Sequence, residues 1–280
     1  MNNNEMKIDR SYAFSKAMRL KALEMAKSTG KAGAHLGGGF SSMDIIATLY
    51  GGILNYRSDQ PDWEGRDRFI TSKRHCYLAS YSALEQAGMI NHEQLMSFHE
   101  DGGELAGYPW NPQMGIDFSG GSLGMGLSVG IGMAMAGKRK KLDYKTYVLL
   151  GDGECNEGAN WEGFMSAAKF QLDNLIVIID NNHMQFDGRE EEIMPMGSFK
   201  EKLEAFGFVA VDVNGHSIED LYQAFLTQHE GKPLAIVAST IKGYGLPSIE
   251  NKAESHHIML SEEDYEYMMK DIEEGRYDRV

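Results

Sequence analysis

The chain has 280 residues, of which 42% are hydrophobic, which is enough for one large domain with a sizeable core and excludes disorder, collagen and coiled coil as whole-chain forms. Its 27 Lys and Arg stand against 41 Asp and Glu, a net charge of −14, so no basic excess exists to follow a nucleic-acid backbone over a broad surface. Cys76 and Cys155 are the only cysteines and make no disulfide framework. Residues 1–10 are polar without a signal-like apolar run, and no segment approaches the roughly 18 apolar residues of a membrane span. The expectation is a soluble, acidic, cytoplasmic protein.

In chain order, Ser11 to Ser28 carries helical spacing at Phe14, Met18, Leu20 and Met25, with Gly30 as a stop signal. A second helix opens at Ser42, with Ile45, Ile46, Leu49 and Tyr50 expected on one side. Arg68 to Thr71 reads as a short strand and Tyr77 to Gln86 as a helix ending near Gly88. Three later runs, 146–150 (TYVLL), 175–179 (LIVII) and 234–238 (LAIVA), are continuously apolar, as parallel strands buried on both faces are. Phe208 to Val213 is expected to be another strand. Helical stretches at 161–170, 199–206 and 218–228 lie between them. This alternation predicts a single α/β domain over residues 1–280, a doubly wound and mainly parallel sheet flanked by helices. Three long irregular stretches, 100–121, 181–199 and 243–257, are expected to serve function.

In such sheets ligands sit beyond the carboxyl ends of the strands. Gly151-Asp152-Gly153 follows the TYVLL run and Asp180-Asn181-Asn182 follows LIVII, with 182 − 152 = 30 residues from Asp152 to Asn182. That length suits strand, helix and an adjacent parallel strand, which brings both polar tips to one edge. A carboxylate, an amide oxygen and nearby carbonyls make a hard oxygen site for Mg2+ or Ca2+, completed by a phosphate. Glycine at 151 and 153 lets the backbone approach that phosphate, and the helix starting near Glu157 is expected to add its N-terminal dipole. Other motif readings fail on details. Glu157 holds the position where a calcium loop needs glycine, Arg139 stands where a P-loop needs Ser or Thr, and neither cysteine belongs to a zinc-like cluster.

The metal and diphosphate pattern resembles the thiamine-diphosphate motif, and its neighbourhood resembles transketolase. The matching segments are His35-Leu36-Gly37-Gly38-Gly39 with Ser41-Ser42-Met43-Asp44, Ser72-Lys73-Arg74-His75, Gly120-Gly121-Ser122-Leu123-Gly124-Met125-Gly126, and Lys242-Gly243-Tyr244-Gly245 leading to Glu254-Ser255-His256. The resemblance runs in order from about residue 10 to 260. It implies the thiamine-diphosphate-binding fold and thiamine diphosphate as cofactor. It implies Asp152, Asn182 and the Met184 carbonyl as metal ligands, and Gly151, Asp152, Gly153 and Asn182 around the diphosphate. It places Gly121 and Leu123 against the aminopyrimidine. His75 and His256 fall near the cofactor and the reacting centre, with His35 beside the substrate. His35, His75 and His256 are then the catalytic histidines, although His257 adjoins His256. Glu157 and Glu162 match acidic residues of a subunit interface. His92, His99, His183, His216 and His229 are taken as non-catalytic.

Two departures from the family pattern bear on function. Tyr108 in Gly107-Tyr108-Pro109 stands where many transketolases carry a histidine near the donor hydroxyl, so Tyr108 is expected to alter donor choice. The pyrimidine-binding and C-terminal domains of full transketolases find no counterpart in 280 residues. The resemblance therefore implies the N-terminal subunit of a split transketolase. Such a subunit moves a two-carbon ketol unit from a ketose or ketose phosphate to an aldose, together with a C-terminal subunit carrying the pyrimidine-binding domain, in an α2β2 heterotetramer. A 2-oxo acid dehydrogenase α subunit or related decarboxylase also carries Gly-Asp-Gly, but lacks the His35 and His75 context. A non-catalytic cofactor binder is the remaining alternative.

Overall fold

A computed structural model of the chain describes residues 2–105 and 108–275; Gly107 of the Gly-Tyr-Pro stretch lies outside them. Five strands make one sheet: β1 (Arg68–Thr71), β2 (Thr146–Gly151), β3 (Leu175–Asn181), β4 (Val209–Asn214) and β5 (Leu234–Ser239). The order is β1-β2-β3-β5-β4 and every pairing is parallel. All five carboxyl ends therefore share one edge. The register pairs Gly151 with Asp180 and Asn181 with Ser239, so the residues that follow β2, β3 and β5 emerge side by side.

The apolar runs are continuous because both sheet faces are covered. Tyr147, Leu149, Ile176, Ile178, Leu234 and Ile236 pack in one core with α1 (Asn3–Ser28), α2 (Leu36–Ser41), α3 (Met43–Thr48), α4 (Tyr77–Gln86) and the short α5 (His92–Met96). Their neighbours Val148, Leu150, Val177, Ile179, Ala235 and Val237 point the other way, into a core with α6 (Gly126–Lys140) and α7 (Gly158–Lys169). After α8 (Glu190–Ile193), α9 (Phe199–Phe206) joins this second core, while α10 (Ile218–Phe225) and α11 (Glu262–Glu273) return to the first. Burying each such aliphatic side chain is worth about 1.5–3 kcal/mol. At the edge, β4 exposes Asp212 and Asn214, which discourages a further strand.

Several boundaries differ from expectation for identifiable reasons. α1 begins at Asn3, not Ser11, because Asn2 and Glu5 form a reciprocal capping box (Glu5 N–H to Asn2 Oδ1 2.9 Å, Asn2 N–H to Glu5 Oε2 2.7 Å). The helix expected from Ser42 is not one-sided, since Met43 to Thr48 are all buried, and Leu49–Ile53 continues it as a wider turn. The glycine-rich Gly37–Gly39 segment is helical and forms part of α2. A Cβ on Gly38 would lie 2.8 Å from the His75 ring, and one on Gly37 would lie 2.5 Å from Ser255 Oγ. Close approach, rather than a loop, requires glycine there.

A buried cluster locks the first core to the site edge. Arg19 of α1 grips Asp44 of α3 with two hydrogen bonds of 3.0 Å, and His216 Nδ1 lies 2.9 Å from the same carboxylate. The arginine and His216 hold the Asp44 carboxyl well below its ordinary pKa despite burial. His216 Nε2 accepts the Ile241 N–H at 2.8 Å, which fixes the chain just before Lys242. His216 thus ties Asp44 to the chain that leads into Lys242.

Candidate active site

A cavity of about 340 Å3 opens at the carboxyl edge of the sheet. Its walls hold His35, His75, Tyr108, Gly121, Leu123, Gly151, Asp152, Gly153, Asn182, Met184 and His256. Segments more than two hundred residues apart in sequence therefore converge on one space. Glu157 and Glu162 do not join it; both are exposed at the start of α7.

Asp152 follows β2 and is buried. Its Oδ1 accepts the Gly153 N–H at 2.7 Å and its Oδ2 accepts the His183 N–H at 2.6 Å. His183 adopts a left-handed φ of 58°, a conformation that is costly for a residue with a Cβ and accompanies this bond. Burial, helped by nearby Asp180, nevertheless pushes the Asp152 carboxyl up to about 6. Asn182, just past β3, accepts the Met184 N–H at 3.1 Å through Oδ1. Met184 itself is pinned by bridge pairing to Arg189. Among the described residues no three His, Cys, Asp or Glu side chains gather as a metal cluster. Asp152, Asn182 and the Met184 carbonyl thus offer a partial oxygen set of the kind that phosphate oxygens complete.

The expected contribution of the α7 N-terminus is corrected. A short 3-10 turn, Gly153–Asn156, separates β2 from α7, and the first residues of α7 do not line the cavity. The Gly153 amide is spent on Asp152. Glycine at 153 still matters sterically, because a Cβ there would lie 2.9 Å from Gln185 Cγ.

Four residues singled out for no role of their own shape this site. Lys242 lines the cavity, donates to the Gln185 carbonyl at 2.9 Å, and is lowered by burial to about 8. Lys73 forms a buried ion pair with Asp180 and also donates to the Gly38 carbonyl at 3.0 Å. Asp180 accepts in addition from Ser41 at 2.6 Å, and from Thr240; Lys73 holds its carboxyl below the ordinary value against the pull of burial. Buried Glu154 accepts from Ser72 Oγ, the Gly124 N–H (2.9 Å) and the Gly151 N–H (3.1 Å), joining three loops. The available signal was only position: Lys73, Asp180 and Lys242 sit inside the quoted motifs, yet spacing shows no pairing between Lys73 and a residue 107 positions away.

The histidines meet in the same cavity. Ring centroids are 5.2 Å apart for His35 and His256, 5.0 Å for His75 and His256, and 5.8 Å for His35 and His75. Of the two adjacent histidines, His256 lines the cavity, whereas His257 is exposed and stands edge-on to His35 at 4.6 Å. Burial first, then neighbouring positive or titratable groups, lower all three cavity histidines: His35 to about 4, His256 to about 3 and His75 well below its ordinary value. They are neutral imidazoles at pH 7. Tyr108 packs its ring over Gly121, where a Cβ would lie 3.1 Å away, and under the Arg74 guanidinium at 5.5 Å. Cys155 is buried with its thiol pushed well up, so it is unreactive.

The comparisons with known proteins agree with this geometry. The sequence family described as transketolase, thiamine diphosphate binding domain, matches residues 11–273. An apulose-4-phosphate transketolase subunit from Phocaeicola vulgatus is 41% identical over 87% of this chain and 87% of its own length. The protein of the same name from Actinobacillus succinogenes is 33% identical over 98% of this chain and all of its own length. Among solved structures, transketolase from Campylobacter jejuni superposes with a TM-score of 0.84 at 26% identity. It covers 95% of this chain, which spans only 43% of that protein. Among the described residues no helix is long and apolar enough to cross a membrane. The chain belongs to the transketolase family, as its N-terminal, thiamine-diphosphate-binding part.

Proposed function

We propose that this chain, an N-terminal transketolase subunit by family, transfers a two-carbon ketol unit from a ketose phosphate to an aldose, and does so with a C-terminal subunit. The reading rests above all on one observation. Asp152 is pushed up to about 6 and Lys242 down to about 8 in the same cavity. Burial thus leaves an acid short of a cation and an amine short of an anion. A divalent metal carrying a diphosphate answers both.

In this reading Asp152, Asn182 and the Met184 carbonyl hold Mg2+ or Ca2+. Lys242 meets the diphosphate, Gly151 and Gly153 leave it room by carrying no side chain, and Gly121 and Leu123 face the aminopyrimidine. When bound, thiamine diphosphate supplies the carbon nucleophile and electron sink for breaking the C2–C3 bond of the donor. The neutral imidazoles of His35, His75 and His256 take or give protons at sugar oxygens without carrying fixed charge. Tyr108, whose hydroxyl is raised above its ordinary value by burial, offers the donor an uncharged hydrogen-bonding group.

Support for a partner comes from the relatives whose names mark them as one subunit of a transketolase, one of which matches this chain over its whole length. The proposed partner carries the pyrimidine-binding domain, and the proposed assembly is α2β2 in the cytoplasm. Glu157 and Glu162 lie at contacts between subunits. The name of those relatives makes apulose 4-phosphate the first donor to try.

The test is ketol transfer from a panel of ketose phosphates, apulose 4-phosphate included, with thiamine diphosphate and Mg2+. It is run with this chain alone and then with the C-terminal subunit. Transfer only in the mixture is expected. Transfer by this chain alone removes the obligatory partner, and cofactor binding without transfer from any donor leaves a binder rather than an enzyme.

A further inference from the structure

Tyr77 opens α4 directly after the Ser72-Lys73-Arg74-His75 turn. Its side chain is buried, and its ring lies 4.6 Å from Phe98. The hydroxyl makes two contacts with a single residue across the cavity wall. It accepts the His35 backbone N–H at 3.2 Å, and it lies 3.2 Å from His35 Nδ1. The site as described gives Tyr77 no role.

We propose that Tyr77 is a positioning residue that fixes the tautomer of His35, so that the imidazole presents Nε2–H to the donor sugar. A buried hydroxyl has one proton to place and leaving it unpaired is costly. The backbone N–H of His35 fills an acceptor position on the tyrosine oxygen, so the hydroxyl's own proton is free to be given away. Among the described residues, Nδ1 of His35 is the acceptor within reach. Nδ1 then carries no proton, and in a neutral ring the proton must sit on Nε2. The hydroxyl stays protonated, because burial pushes it up to about 12, and the ring stays neutral for the reasons given above. Tyr77 grips both the backbone and the ring of His35, so it sets the position of the ring and also the atom that bears the hydrogen. A donor N–H in the cavity wall suits a sugar carbonyl or hydroxyl oxygen. The inference rests on the ketol-transfer reading for what His35 does, but not for which nitrogen is protonated.

The experiment uses the full chain labelled with 15N-histidine, with the His35 signals assigned by their loss in His35→Gln. In the wild type at pH 7, Nε2 is expected to be the protonated nitrogen and Nδ1 the bare one. Tyr77→Phe keeps the ring and its packing, and its thermal midpoint serves as the check on folding. In that variant the His35 signals move toward the average of two exchanging tautomers. With cofactor and the C-terminal subunit present, kcat/KM for the donor falls about tenfold, the scale of one lost oriented hydrogen bond, while cofactor affinity stays within about twofold. A wild-type proton on Nδ1 overturns the proposal, as does an unchanged nitrogen pattern in Tyr77→Phe. A changed pattern with unchanged kcat and KM overturns the positioning role. If the wild-type pair transfers no ketol unit from any donor, the functional reading fails while the nitrogen signals still decide the tautomer.

Discussion

Asp152 carries a cost to stability that the proposed metal site would relieve. Its carboxyl sits at about 6 in the folded chain, against an ordinary 3.8. A folded-state value above the unfolded one means that ionisation works against folding. As pH rises from below 3.8 through 6, the cofactor-free chain loses stability from this group, roughly 3 kcal/mol in all. A bound cation reverses the preference, because it requires the ionised form. Binding of thiamine diphosphate with Mg2+ is therefore expected to release close to one proton from Asp152 at pH 5.5; at pH 7.5 Asp152 is already ionised and Lys242, at about 8, takes up a fraction of a proton instead. Cofactor affinity should fall by about tenfold per pH unit well below 6. Calorimetric titration in buffers of different ionisation enthalpy reads the proton directly. Asp152→Ala is expected to abolish metal-dependent binding at every pH. If that variant binds as the wild type does, Asp152 is not a ligand.

At the scale of elements, the Lys73–Asp180 pair is the joint that sets four of them together. It links the turn after β1 to the end of β3, and Ser41 of α2 and Thr240 after β5 share the same carboxylate. Both charges are fully buried, so removing one strands the other. Asp180→Asn and Lys73→Met are each expected to cost about 3–5 kcal/mol. The double variant should recover a large part of that loss, because two neutral groups need no counter-charge. Urea unfolding of the four proteins gives the coupling energy; additive losses would mean that the pair acts only through its separate hydrogen bonds.

This joint also marks how far the sequence could be read. Strands β2, β3 and β5 were legible because burial on both faces writes an unbroken apolar run. Asp152 and Asn182 were legible as neighbours because one strand-helix-strand unit carries both. The match of Tyr77 to Gln86 as a helix needed only local periodicity. By contrast, Lys73 and Asp180 meet across 107 positions, and Glu154 joins Ser72 from 82 away; no local rule pairs them. Nor could periodicity show α2 as a helix, since its three glycines carry no apolar pattern and two of them, Gly37 and Gly38, are fixed by close approach to Ser255 and His75. The dipole expected from α7 failed on a similar detail, four residues of 3-10 turn that composition does not announce.

For the whole molecule, the question is what covers the outer faces of α6 and α7. Met125 (52%), which caps α6, Met135 (36%) of α6 and Met165 (59%) of α7 are exposed, as are the carboxylates of Glu157 and Glu162 at the start of α7. Single apolar residues on a surface are ordinary, but here three methionines are exposed on two packed helices that start from loops at the carboxyl edge of the sheet. A net charge of −14 repels identical chains, so self-association needs a face where contact is apolar and charge is sparse. The α6–α7 face is the candidate, in line with the proposed placement of Glu157 and Glu162 between subunits. Met165→Lys adds a charge where contact is expected without touching either core. The wild-type chain should sediment as a dimer at micromolar concentration and the variant as a monomer, with the same circular dichroism spectrum and a thermal midpoint lowered only by the loss of the dimer. Glu162→Gln should not have this effect on mass, but should weaken the dependence of activity in one site on occupancy of the other, read as a change in the Hill coefficient for thiamine diphosphate. If Met165→Lys leaves the mass at twice the chain, the α6–α7 face is free and the two carboxylates have another purpose.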